Sequence, residues 1–427
     1  MSAPETVQAG ISLTRLPNGL TVATETIPGV ETATLGVWVA AGSRHEREAE
    51  HGLSHLIEHM AFKGTARRTA RQIAEDIENV GGDINAATST EFTSYTSRVL
   101  GTDADLAVDV LGDILTNSLF DATELGREKN VILQEYASIE DSPDEAVGDA
   151  FMEIAFAGQA IGRPILGRPD TIASFEADMI RAFMAREYTP ARMVFAAAGQ
   201  VDHARVVDAV SRALGGIPGA QAPEPSAGTY TGGERRLPRR LEQANLMIGL
   251  PGVSFRDPAY FATHIFAQAL GGGLTSRLWH EVRETRGLAY SIDAFHWPFT
   301  DCGLFGIGAG TSAADLPGLV EVVIETSRAA AAGIEPVELA RARAQLKVAM
   351  LAALETPGGR IDRAARQLLA WGRVIPAEET IARVDAVTVE EVRAAGARTL
   401  AGPPALAAIG PIKGLQPLAE IAAALGR

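Results

Sequence analysis

Two stretches of the chain read as one pattern written twice. YTSRVLGTDADLAVDVLGDILTNSLFDATELGREK, from Tyr95, and FGIGAGTSAADLPGLVEVVIETSRAAAAGIEPVELARAR, from Phe305, share the order strand, Gly-Thr turn, helix, break, helix. In both, an Asp-Leu start follows the turn, at Leu106 and Leu316, and a Glu-Leu pair lies early in the later helix, at Leu125 and Leu339. A repeat of this length points to duplicated domains rather than a solenoid of short units. Length agrees, because 427 residues exceed what one ordinary hydrophobic core serves. Between the copies, GGIPGAQAPEPSAGTYTGG has too little apolar content for a core and carries three prolines and six glycines. The expected organisation is therefore a first domain over 1–214, a linker over 215–233 and a second domain over 234–427.

Local signals give the class of each domain. ISLTRLPNGLTVATET and ATLGVWVAAGS alternate and are rich in Thr and Val, with Pro17, Asn18 and Gly19 as a turn between two strands. From about Gly52 to Ala61 the period becomes helical, and a second helix over about Thr69 to Val80 stops at Gly81 and Gly82. INAATST and FTSYTSRVL read as strands, and Asp105 to Leu115 as a helix. Asp121, with Glu124 three residues later, can cap a further helix running toward Ile139. The pattern predicts an α+β fold: two homologous domains, each an antiparallel sheet packed against helices.

Chemistry concentrates in HGLSHLIEHMAFKGT, residues 51 to 65. His55 and His59 are one helical turn apart, so both imidazoles can reach one ion at roughly 2.0–2.1 Å. Glu58 flanks them and could move a proton as general base. The order H-x-x-E-H is the inverted zinc-peptidase motif. Catalytic zinc usually takes three protein ligands. The stretch TELGREKNVILQEYASIE offers Glu124, Glu128 and Glu135, the last two sharing a face two turns apart. One could bind while the other orients a ligand histidine, and spacing does not choose between them. Aligning the two copies sets His264 opposite His55, Ala267 opposite Glu58 and Gln268 opposite His59. The second domain thus keeps the helix without the polar trio, so packing alone does not demand it. His51 reads as a surface or supporting group, and His45, His203, His280 and His296 as structural or exposed.

Composition excludes other classes. A formal charge of −15 disfavours nonspecific nucleic-acid binding. Cys302 stands alone, so there is neither an intrachain disulfide nor a cysteine-rich metal cluster. The start, MSAPETVQAGISLTRLPNG, has no basic-then-apolar leader, and no window has the length of a membrane span. These readings favour a cytoplasmic location, with the periplasm or an organelle matrix as alternatives.

The segments GLSHLIEHMAFKGT, GGDINAATSTEFTSY, REKNVILQE and GGGLTSRLWHEVRETRGLAYS together resemble the pitrilysin and mitochondrial processing peptidase family, M16, in its shorter bacterial and organellar branch. The resemblance spans residues 8 to about 420. It implies that His55, His59 and Glu135 bind one Zn2+ per chain, that Glu58 is the general base, and that Glu128 supports the site from behind. It implies further that Asn85, Ala86 and Ala87 lie on an edge strand whose backbone pairs with an extended peptide. Arg283 and Tyr290 would contact the substrate backbone or help stabilise an oxyanion. Without the resemblance, Arg283 reads as a helix-surface charge and Tyr290 as the start of a strand. Family chambers have four domains, so this two-domain chain supplies half of a clam-like chamber. That implies a homodimer, with a heterodimer of related subunits as the alternative. The implied activity is zinc-dependent hydrolysis of internal bonds in short or unfolded peptides, including processing or targeting peptides. The alternative is a noncatalytic structural or peptide-binding subunit of a larger complex.

Overall fold

The computed structural model describes residues 6–8 and 10–426. They form two compact units, each with its own sheet. The first combines the described residues up to Tyr136 with Pro164–Pro225 and Leu351–Ala377, and the second combines Ala137–Arg163, Ser226–Met350 and the described residues from Glu378 onward. No helix among the described residues is long and apolar enough to cross a membrane.

The first unit holds β1 (Thr6–Gln8), β2 (Ile11–Arg15), β3 (Thr21–Thr26), β4 (Thr32–Val39), β5 (Asp83–Thr88), β6 (Thr93–Leu100) and β7 (Met193–Gly199). Their order across the sheet is β1-β2-β3-β7-β4-β6-β5. The second unit holds β8 (Gly233–Pro238), β9 (Gln243–Pro251), β10 (Ala289–Pro298), β11 (Gly303–Ser312) and β12 (Ala405–Gly410), in the order β10-β11-β9-β12-β8. Both sheets are mainly antiparallel. Each contains one parallel pair that local pattern did not reveal, β3 with β7 and β8 with β12. Helices α1 (Leu53–Met60), α2 (Ala70–Glu78), α3 (Ala104–Thr116), α4 (Ala122–Asp141) and α5 (Pro143–Ala155) follow one another through the first half. The repeat read from sequence is β6-α3-α4 in one copy and β11 with helices Leu316–Ala332 and Pro336–Ala352 in the other.

Both sheets are covered on both faces, and this explains the composition of their inner strands. Every residue of β7 is buried: Met193, Phe195 and Ala197 enter the main core, while Val194, Ala196 and Ala198 meet a second cluster with Ile361, Ala364 and Ala365. Those last three lie on helix Pro357–Trp371. The helix is fastened there by Trp38, whose indole N–H donates to Asp362 at 3.0 Å, and by an Arg360–Glu25 ion pair. In the second unit, Leu406 and Ala408 of β12 face one core, and Ala405, Ala407 and Ile409 face α5 through Val147, Ala150 and Phe151. Small residues on these second faces let a helix backbone come close. At Gly249 on β9 a Cβ would lie 2.4 Å from the Phe151 ring.

Each unit therefore takes its second-face helix from the other half of the chain. Residues 216–232 contain no helix or strand, and we keep 215–233 as the proposed covalent boundary between the repeats. The compact units themselves do not divide at that boundary, because burial of the second faces requires α5 and helix Pro357–Trp371 to cross over.

The turn after α1 is fixed by a buried carboxylate. Asp113 of α3 accepts hydrogen bonds from Thr65 Oγ1 at 2.7 Å, Arg68 Nη1 at 2.8 Å and Asn117 Nδ2 at 2.9 Å. Burial alone would raise its pKa, but these bonds, led by Thr65, outweigh it and hold the carboxyl below its ordinary value. A depressed carboxylate contributes stability that is present above its unfolded value and lost as pH falls through the folded one. The urea midpoint should accordingly fall below about pH 4, and D113N should flatten part of that decline; parallel profiles for the two proteins would refute the assignment. Phe151→Ala empties a site that is fully buried and should cost about 3–5 kcal/mol in urea unfolding. A loss below about 1 kcal/mol would show that α5 does not anchor the second sheet.

Candidate metal centre

α1 presents two unlike edges. Leu53, Leu56, Ile57 and Met60 are buried in the first unit's core, and His55, Glu58 and His59 occupy the half-buried edge. The helix has no local side-chain cap. Gly52 stands before it at φ 96°, a left-handed conformation that suits glycine, and a Cβ there would lie 2.5 Å from the Leu166 carbonyl. The buried amides of Gly52 and Ser54 at the start of α1 are satisfied instead by the buried Glu46. Its Oε2 accepts from Gly52 N–H at 2.8 Å and its Oε1 from Ser54 N–H at 2.7 Å. No sequence pattern marks Glu46 for this role, because its partners are six and eight residues ahead.

α4 brings the carboxylates. Asp121 Oδ1 accepts from the backbone N–H groups of Thr123 and Glu124 at 2.8 and 3.1 Å, as expected of a cap. Glu128 and Glu135, two turns apart, then face α1 with different partners. Glu135 Oε2 lies 3.6 Å from His59 Nε2 and 3.9 Å from His55 Nε2. Glu128 Oε2 lies 3.0 Å from His59 Nδ1. A carboxylate only accepts, so Nδ1 of His59 carries the proton and Nε2 keeps its lone pair. Lys63 Nζ is 2.8 Å from the other oxygen, Glu128 Oε1. The alternatives that helical spacing left open are thus separated by geometry: Glu135 meets both Nε2 atoms, and Glu128 stands behind one imidazole. Glu124 instead pairs with Arg127.

The donor set fits a zinc ion. One ligand atom each from His55, His59 and Glu135 lies within 4.8 Å of the other two, and no other such trio occurs among the described residues. Tetrahedral coordination at ~2.0–2.1 Å places donor atoms about 3.3 Å apart, a few tenths of an ångström inside the two histidine–Glu135 distances of 3.6 and 3.9 Å. Burial, then the neighbouring His59, push His55 down to about 4, so its imidazole is neutral and can donate a lone pair at pH 7. Burial raises Glu128, but hydrogen bonds from Lys63 and His59 more than offset it and keep the carboxylate ionised. His55 has no equivalent support: its Nδ1 is buried without a hydrogen-bond partner. Side-chain exposure is 13% and 17% for the two histidines but 42% for Glu135, so the centre is reached from the carboxylate side. Glu58, on the same edge, is close enough to the hydrogen-bonded Tyr95–Tyr188 pair to add to the burial that keeps both phenols protonated.

Other sequence-predicted residues fall as follows. Asn85, Ala86 and Ala87 lie on β5, the terminal strand of the sheet, which among the described residues pairs only with β6. Thr88 at the end of β5 donates to the Ser54 carbonyl of α1 at 3.4 Å, so the end of this edge strand lies against α1. In the second unit, Arg283 and Tyr290 come together. Arg283 Nη1 donates to the Tyr290 carbonyl at 2.9 Å, and its guanidinium sits 4.6 Å from the Tyr290 ring centre and 4.3 Å from that of Trp279. Trp279 and Arg283 both lie on a wide π turn, Trp279–Thr285. Trp279 was not singled out from sequence, although its spacing of four from Arg283 was there to be read. His51 is not at the surface: it is buried, with Nε2 2.8 Å from the Pro164 carbonyl. On helix Tyr260–Gly271, His264 meets His296 and Gln268 bonds the Gly272 carbonyl, so this helix carries no metal trio.

Comparison with known proteins gives a concordant result. A family profile described as insulinase (peptidase family M16) matches residues 21–169, and one described as peptidase M16 inactive domain matches 174–346. A Streptomyces coelicolor protein named uncharacterized zinc protease is 41% identical over 94% of this chain and 90% of its own length. The Bacillus subtilis uncharacterized zinc protease YmxG is 35% identical over 92% of this chain and 97% of its own. Among solved structures, a chain of complex III2 from Candida albicans matches with TM-score 0.86 and 23% identity, over 97% of this chain and 100% of that one. A peptidase M16 inactive domain from Pseudomonas fluorescens matches with TM-score 0.85 and 21% identity, over 94% and 98%. Those two likenesses concern the fold. With the relatives matching nearly end to end, the chain belongs to peptidase family M16, in its short two-domain form.

Proposed function

We propose that the chain is a zinc-dependent endopeptidase acting on short or unfolded peptides, processing or targeting peptides among them. The observation that carries this reading is the convergence of His55, His59 and Glu135 beside Glu58 and a free strand edge. His55 and His59 would hold one zinc ion per chain through Nε2, and Glu135 through its carboxylate. Zinc bound there supplies Lewis acidity, polarising the scissile carbonyl and making water more acidic.

The remaining steps belong to the protein. Glu58 takes a proton from the attacking water and passes it to the leaving amine. β5 offers the unpaired N–H and C=O groups of Asn85–Ala87 to an extended substrate, a mode indifferent to most side chains but closed to folded ones. Arg283 and Tyr290, supplied by the second domain of a partner subunit, contact the substrate backbone and favour the developing oxyanion. A homodimer completes the chamber in this reading, and a related subunit could take the partner's place. The relatives named above come from bacteria, and the setting proposed here is the cytoplasm. The other reading, a noncatalytic assembly subunit, draws on the likeness in fold to a chain of complex III2, but the presence of the trio together with Glu58 favours the peptidase.

Glu58→Gln should retain zinc by metal analysis and lose about 10²–10⁴-fold in turnover of a quenched peptide. Unimpaired turnover in the zinc-loaded variant would remove Glu58 from the mechanism. Arg283→Ala should also lose turnover with zinc in place. Mixing E58Q with R283A tests the shared chamber: exchange of subunits restores about a quarter of the sites if each is built from two chains, and none if each is built from one.

A further inference from the structure

Lys63 follows α1 in the turn after Met60, and its ammonium crosses to α4 rather than pointing to solvent. It takes Glu128 Oε1 at 2.8 Å, the oxygen that His59 leaves unused, while Oε2 holds His59 Nδ1 at 3.0 Å. The Glu128 side chain is only 7% exposed and that of Lys63 32%, so this pair is far less screened than a surface ion pair. A carboxylate held by one oxygen alone can turn about its last bond and exchange the two. Held by both, it has one setting. The same contact ties the end of the helix bearing His59 to the helix bearing Glu135.

We infer that Lys63 is a positioning residue for the metal centre: by occupying Glu128 Oε1 it fixes Oε2 on His59 Nδ1, and so keeps His59 Nε2 aimed at Glu135 and His55. Lys63 touches neither metal nor substrate in this role, and acts only through Glu128. The inference rests on the zinc reading of the site. Outer partners of metal-bound histidines typically alter affinity about 10–100-fold when removed, and an effect of that size is expected here.

The test is zinc affinity of the full chain, measured by competition with a chromogenic chelator for wild type, K63M, K63R, E128Q and the K63M/E128Q double variant. K63M should bind Zn2+ about 10–100-fold more weakly, and K63R should recover most of the loss. The double variant should match E128Q, because two residues acting in series are not additive. Thermal unfolding of the metal-free proteins separates this from a general loss of structure, and K63Q replaces K63M if the latter melts early. Affinity of K63M or K63Q within about twofold of wild type, or a double variant weaker than E128Q by the full K63M factor, would overturn the proposal. H59A distinguishes the two levels of failure: wild type binding zinc no better than H59A would sink the zinc reading itself, whatever Lys63 does.

Discussion

A helix of eight residues is too short to hold itself together in water, so the placement of His55 and His59 depends on what grips α1 from outside. Its apolar edge is set in the core by Leu53, Leu56, Ile57 and Met60. Its first amides end on Glu46, and the turn that follows it ends on Asp113. Both carboxylates are almost fully buried, and a buried charge is tolerated only with its hydrogen bonds complete. α4 works differently. With 20 residues and its own cap it is a rod, and it delivers Glu128 and Glu135 at a spacing of about 10 Å along its axis. A clamped short helix and a self-supporting long one together make the centre.

Duplication shows what in this arrangement is scaffold and what is chemistry. Helix Tyr260–Gly271 fills, in the second unit, the place that the sequence repeat assigns to α1. There His264 packs against Tyr260 and His296, and Gln268 reaches Gly272 and Gln345. Ordinary packing is sufficient at that position, so the polar trio of the first unit is an addition to the fold rather than a requirement of it. The second unit has its own addition. Sandwiching Arg283 between Trp279 and Tyr290 restricts a side chain that is otherwise costly to immobilise, and leaves Tyr290 itself 76% exposed.

Local chemistry carried much of the fold into the sequence. The turn at Gly19, with φ 104°, the start of α2 at Thr69, the Asp121 cap of α4 and the left-handed Gly81 all stand where side-chain type and spacing placed them. The His-x-x-Glu-His helix was equally legible, since i,i+4 geometry needs only a helix. Assignment of Glu128 and Glu135 was not, because both share one face and only the position of α1 tells them apart. Glu46 and Lys63 were hidden for the same reason: each reaches its partners through tertiary geometry, with no pattern of its own. β7 and β12 lack the alternation that betrays a half-buried strand, since both of their faces are covered. Nothing in a local window could have told which helices cover them.

Those covering helices bear on how the chain must mature. The sheet of the first unit stays bare on its alanine-lined side until residues 357–371 have left the ribosome, although its last strand, β7, ends at Gly199. Synthesis from the N-terminus therefore leaves an apolar sheet face without its covering helix from Gly199 until Pro357–Trp371 is made, and exposed apolar surface of that kind favours aggregation of incomplete chains. Because that helix belongs to the second half of the chain, completing the first half alone does not close the first unit's core.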